Sequence, residues 1–125
     1  MSGTNYLIDT NIIIYLSQGR LKISNFAKNS SNLYISSITY IETLGYTFPN
    51  ENEEKIITDL CDMFERLYVT KDVESQTILI RKAHKIKLPD AIIAATAMTH
   101  DLTLVTCDSR DFGRILGLKL FVPLT

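Results

Sequence analysis

Histidine and cysteine are scarce in this chain, and so is any excess of charge. The two histidines, His84 and His100, are too few and too far apart for a histidine-based metal site. The two cysteines, Cys61 and Cys107, offer neither a metal-ligand spacing nor a disulfide framework, as expected of reduced thiols in a cytoplasmic protein. A net charge of −1 excludes a basic polyelectrolyte, so a nucleic-acid surface has to be a local patch. Apolar runs stay far short of the ~20 residues that span a bilayer. The opening MSGTNYLIDTN lacks the basic-then-apolar pattern of a signal peptide. No Gly/Ser/Pro linker, repeat or low-complexity tract divides the sequence. The 125 residues, 46% of them hydrophobic, are therefore expected to form one domain over 1–125 with a substantial core.

What is present alternates. NYLID (Asn5–Asp9) is a short β-rich run, and the apolar NIIIYLSQG after it predicts a helix stopped by Gly19. LYISS (Leu33–Ser37) predicts a second strand, followed by ITYIETLGYTF with helical spacing up to Pro49. NENEEKIITDLCDMFERL predicts a helix with an Asn cap and an acidic first turn. YVT (Tyr68–Thr70) reads as a brief strand, and DVESQTILIRKAHK as a helix with cations at its favoured end. Pro89 opens the DAIIAATAMTH helix. LTLVT (Leu102–Thr106) is a strong strand and KLFV (Lys119–Val122) a weaker last one. Strands alternating with helices predict an α/β fold with a parallel sheet covered on both faces.

In such a sheet, sites form beyond the carboxyl ends of the strands. Asp9 ends the first strand, and Asp108 lies just past LTLVT. Each also reads as a helix cap, Asp9 for NIII and Asp108 for SRDFGRI. Glu42 shares a helix face with Ile38, Thr39, Gly45 and Tyr46, which predicts a carboxylate at least half buried, the alternative being one at the helix edge. Asp90 heads a face of Ile93, Ala94 and Ala97; a first-turn Asp is favoured by the helix dipole, but that does not explain its place on the inward face. If the four meet, each pair of charges ~5 Å apart costs about 3 kcal/mol at an effective dielectric near 20. The cluster must take up protons or bind cations. All-oxygen ligands favour Mg²⁺ or Mn²⁺, which suits phosphodiester hydrolysis.

These residues resemble the PIN-domain family, and within it the VapC-type toxin ribonucleases. The resemblance runs along nearly the whole chain: YLIDTNIII, then ISSITYIETLGY, then KLPDAIIAATAMTHDLTLVTCDSRDF. It implies a central parallel sheet sandwiched by helices in three layers, and metal-dependent endoribonuclease activity. Asp9, Glu42, Asp90 and Asp108 fall on the family's acidic cluster, Asn11 and Thr106 on supporting polar positions, and Asp111 on the Asp of a closing Asp-Phe pair. It further implies an RNA substrate, a small antitoxin partner and a homodimer. Where many relatives carry Arg and Asn, this chain has Cys107 and Asp108, so that the Asp keeps a potential ligand while the missing Arg puts one phosphate contact in doubt.

Arg81, Lys82, Lys85 and Lys87 precede the Asp90 helix and are candidates for RNA phosphate contacts, or simply a solvated helix end. Tyr40, Tyr46 and Phe48 are candidates for base stacking or for core and groove packing. The apolar helices from Ile12 to Phe48 are expected to offer surface to an antitoxin helix or a second subunit. Two other functions compete: a non-toxin PIN nuclease of RNA processing, and a PIN-like module that binds without cutting. A phosphatase reading of LIDTN is disfavoured, because Asn11 stands where a second Asp is needed.

Overall fold

Leu7 and Ile8 point to opposite faces of one strand, and the fold is built outward from that alternation. The computed structural model describes residues 4–28 and 31–123. Strand β1 (Tyr6–Ile8) lies at the centre of a five-stranded sheet, between β2 (Leu33–Ser36) and β4 (Thr103–Val105). Strand β3 (Glu65–Leu67) lies outside β2, and β5 (Leu120–Phe121) outside β4. Every pairing is parallel, with Tyr6 opposite both Leu33 and Thr103. The order β3-β2-β1-β4-β5 reverses between β1 and β4, which opens a crevice at their carboxyl ends.

Leu7 and Leu104 face a core closed by helices α4 (Lys71–Ala83), α5 (Leu88–Thr99) and α6 (Ser109–Phe112), with Val73, Ile80, Ile93 and Phe112 buried there. Ile8, Ile35 and Val105 face the second core, covered by α1 (Thr10–Ser17) and α3 (Glu51–Asp62) through Ile12, Ile13, Ile57 and Cys61. Helix α2 (Ser37–Leu44) follows β2 without a loop and touches both cores, through Ile38 on one side and Tyr40 and Leu44 on the other. Each fully buried Leu or Ile contributes roughly 1.5–3 kcal/mol. Leu104→Ala would cost about 2–5 kcal/mol. The three-layer α/β sandwich is as the alternation of elements predicts.

Several boundaries differ from the sequence reading. The third strand is Glu65–Leu67, not Tyr68–Thr70. Register with β2 selects it, pairing Ile35 with Arg66, while Tyr68 and Val69 stay exposed. Helix α3 therefore stops at Asp62, although its Asn50 cap forms as expected, accepting from the Glu53 N–H at 2.9 Å. Helix α2 ends at Gly45, well before Pro49. Gly45 ends the helix, where a Cβ would meet the Ile41 carbonyl oxygen at 2.7 Å. Gly19 lies just past the end of α1 as predicted, with a φ of +73° that suits glycine. A short 3₁₀ turn at Ile23–Asn25 had no sequence signal.

Candidate functional site

Asp9 leaves β1 and caps α1, so it sits at the crevice by construction. Its Oδ1 accepts from the Thr10 N–H at 2.8 Å, and its Oδ2 from the Thr106 hydroxyl at 2.6 Å. The Thr106 oxygen in turn accepts from the Asp108 N–H at 3.0 Å. Asp9 is only 5% exposed. Burial pushes its carboxyl up to about 6; the two hydrogen bonds oppose the rise, and the charges of Asp90 and Glu42 add to it. The cap reading of Asp9 is thus correct and does not displace the other one, since a capping carboxylate at a strand end still faces the crevice.

Asp108 behaves similarly. It caps α6 by accepting from the Asp111 N–H at 3.2 Å. Asp90, Asp108 and Asp111 each offer a carboxylate oxygen, and these oxygens all lie within 4.8 Å of one another. Asp90 stands third in α5, after Leu88 and Pro89; no side chain caps that helix. Burial raises the Asp90 carboxyl first, then the charges of Glu42, Asp108 and Asp111, and Lys87 pulls it back. A half-buried carboxylate with no hydrogen-bond donor of its own among the described residues, facing two others, is a centre short of positive charge.

Glu42 corrects the sequence reading: it is exposed rather than half buried. Thr39 and Thr43 take the buried positions of α2. The Glu42 Oε1 accepts from the Thr10 hydroxyl at 2.8 Å, which holds it toward the crevice. Glu42 acts on Asp90 by charge, and Asp90 on Asp9, without Glu42 or Asp9 joining the 4.8 Å group. Asn11 accepts from the Cys107 N–H at 3.4 Å, tying α1 to the turn after β4. The sequence reading missed Thr10, which contacts two of the acids; a donor placed directly after a strand-end Asp was the available signal.

Two cations lie beside this centre. Lys87 is close enough to act on Asp90. Arg114 lies 3.6 Å from Asp111. Arg81, Lys82 and Lys85 line a shallow recess of about 440 Å³ with His84, at the end of α4. Tyr40 is not free to stack on a base: the Arg66 guanidinium covers its ring at 3.4 Å. Tyr46 and Phe48 meet edge to face at 5.4 Å. They help line a groove of about 800 Å³ between α1, α2 and α3, apolar at Ile14 and Ile56 and opening at Thr10 and Glu42. Glu42 is on its wall, whereas Asp9, Asp90, Asp108 and Asp111 are not. No helix among the described residues is long and apolar enough to cross a membrane.

The donor set fits a hard divalent cation. It is all oxygen and anionic, with like charges close together, and neither cysteine contributes. Burial and the nearby Asp9 charge keep the Cys107 thiol protonated.

The PIN-domain family model matches residues 6–117. Ribonuclease VapC1 of Rickettsia felis is 32% identical, over 91% of this chain and 92% of its own length. A toxin-antitoxin complex from Klebsiella pneumoniae superposes with a TM-score of 0.78 at 30% identity, covering 95% of this chain and 98% of that one. VapBC2 of Rickettsia felis, solved bound to a DNA fragment from their promoter, gives 0.83 at 23% identity over 95% and 98%, a likeness of fold alone.

Proposed function

The chain belongs to the PIN-domain family, and from that premise we propose that it is a metal-dependent endoribonuclease and the toxin of a toxin-antitoxin pair. The observation that carries the reading is the approach of Asp90, Asp108 and Asp111 to within 4.8 Å beside the buried Asp9. We assign Asp9, Glu42, Asp90 and Asp108 as the ligand and catalytic set, with Asp111 joining it and Asn11 and Thr106 in support. Mg²⁺ or Mn²⁺ held there supplies charge to a phosphoryl oxygen and a more acidic water for attack.

The chain's own residues fix the geometry. Thr106 and the Thr10 N–H hold Asp9 in one rotamer. Pro89 and the buried alanines of α5 bring Asp90 in on a rigid support. Lys87, Arg81, Lys82 and Lys85 contact RNA phosphates, so binding is salt-dependent and poor in sequence information. The groove between α1, α2 and α3 receives an amphipathic helix of an antitoxin, whose end then covers Glu42. The protein acts in the cytoplasm, as a homodimer of a single nuclease domain over 1–125. The name of the Rickettsia felis relative and the toxin-antitoxin neighbour from Klebsiella pneumoniae support the toxin role.

Cleavage mapping on total cellular RNA tests this, with wild type beside Asp90→Asn and with and without Mn²⁺. Discrete cuts that need the metal and vanish in the variant are expected. Cuts that survive unchanged in Asp90→Asn would overturn the metal assignment. No cuts at all, with metal still bound, would favour the binding module.

A further inference from the structure

Glu42 is the least supported member of the acidic set. Its helix has eight residues and buries only Thr39 and Thr43. The Glu42 side chain is exposed, so packing does not select a rotamer. Ordering so flexible a side chain costs on the order of 1–2 kcal/mol. Among the described residues one contact opposes that cost, the 2.8 Å hydrogen bond from the Thr10 hydroxyl.

Thr10 is well placed to give direction. It is the first residue of α1, and its β-branched side chain has few χ1 choices. Its oxygen lies 3.3 Å from the hydroxyl of buried Thr39 on α2. A hydroxyl carries one hydrogen; the shorter contact takes it, and Thr39 is left to donate in the other. The same residue gives its backbone N–H to Asp9. Thr10 thus holds one acid with its backbone and another with its side chain, and only the second depends on its hydroxyl.

We propose that Thr10 is the positioning residue that aims Glu42 at the metal centre, a role resting on the proposed function above. It touches neither metal nor substrate and acts through the carboxylate it orients, as outer partners of metal ligands do. The test is Mn²⁺ binding by calorimetry on the purified full chain, for Thr10→Val, Thr10→Ser, Glu42→Gln and the double variant Thr10→Val/Glu42→Gln. Thr10→Val keeps shape and the N–H to Asp9, and removes the donor. It is expected to weaken Mn²⁺ binding by about 10-fold. Its RNA cleavage should recover as Mn²⁺ is raised, whereas misfolding would not be rescued this way. Thr10→Ser should bind like wild type. In the Glu42→Gln background, Thr10→Val should cost nothing further. Wild-type affinity in Thr10→Val beside weakened Glu42→Gln overturns this inference alone, as does an undiminished loss in the double variant. Wild-type affinity in Glu42→Gln removes the ligand assignment itself, and this inference with it. If Thr10→Val does not fold, Thr10→Ala takes its place with the same expectations.

Discussion

Helices α5 and α2 each deliver one acid to the crevice, and they do it by opposite means. Ala91 and every residue from Ile93 to Ala97 of α5 are buried, so the helix has no freedom to shift and Asp90 goes where the core puts it. Helix α2 buries two threonines and leaves Ile41 and Glu42 in solvent. A carboxylate does not need burial to belong to a site. It needs a defined direction, which a packed helix supplies at one position and a single hydrogen bond at the other. The two acids should therefore respond very differently to substitution.

The largest expected effect is in the packed helix. Ala94→Leu forces a side chain into a fully buried position and should cost about 3 kcal/mol. Thermal melts followed by circular dichroism should show a midpoint on the order of 10 °C lower. Cleavage should fall too, because Asp90 moves with its helix. Ile41→Ala on α2 should stay within about 0.5 kcal/mol of wild type. Equal melting of both variants would erase the contrast.

Next is Asp9, an acid buried nearly as deeply as the α5 alanines. Its folded carboxyl titrates at about 6, against roughly 3.9 in an unfolded chain. Below about pH 4 both states hold the proton, and there is no penalty. As pH rises toward 6, the unfolded chain ionises first, so the metal-free fold loses stability. Above about pH 6 the loss is complete, at most about 3 kcal/mol. Metal-free Asp9→Asn, which escapes this, should be more stable than wild type by about 2 kcal/mol at pH 7.5. Urea titrations should show that gap closing toward pH 4; a gap independent of pH would place the strain elsewhere.

A smaller effect is expected at the cations near the start of α5. Lys82→Gln/Lys85→Gln, built into the Asp90→Asn protein so that RNA stays intact, should lower the slope of log affinity against log salt by about 2. An unchanged slope would return these lysines to the role of a solvated helix end. The smallest change is predicted for the stability of Glu42→Gln, within about 0.5 kcal/mol of wild type by chemical denaturation. A large loss there would mean that Glu42 is built into the fold like Asp90.

The same division marks how much could be read from the sequence. Asp9, Asp90 and Asp108 were legible because each follows a local rule: an acid after a strand, behind Pro89, or before a short helix. The alternation that predicted the parallel sheet was legible for a similar reason. The position of β3 was not, since an edge strand takes its place from its neighbour's register and Arg66 has no strand signature of its own. The exposure of Glu42 was missed because helical spacing names the residues on a face without saying which core, if any, that face meets. The stacking of Arg66 on Tyr40 joins two elements and has no local cue.

The hydrogen bond from Thr106 to Asp9 joins residues 97 apart. It gives the proposed nuclease a schedule. During synthesis β1 emerges first and α5 much later, yet a chain halted before β4 lacks Thr106, Asp108 and Asp111 together. Such a fragment carries Asp9, Glu42 and Asp90 but lacks the Thr106 bond and the β4 strand that pairs with β1. A cell making the proposed nuclease would thus be exposed to it only once β4 and the turn after it have been made, without any inhibitor acting in the meantime.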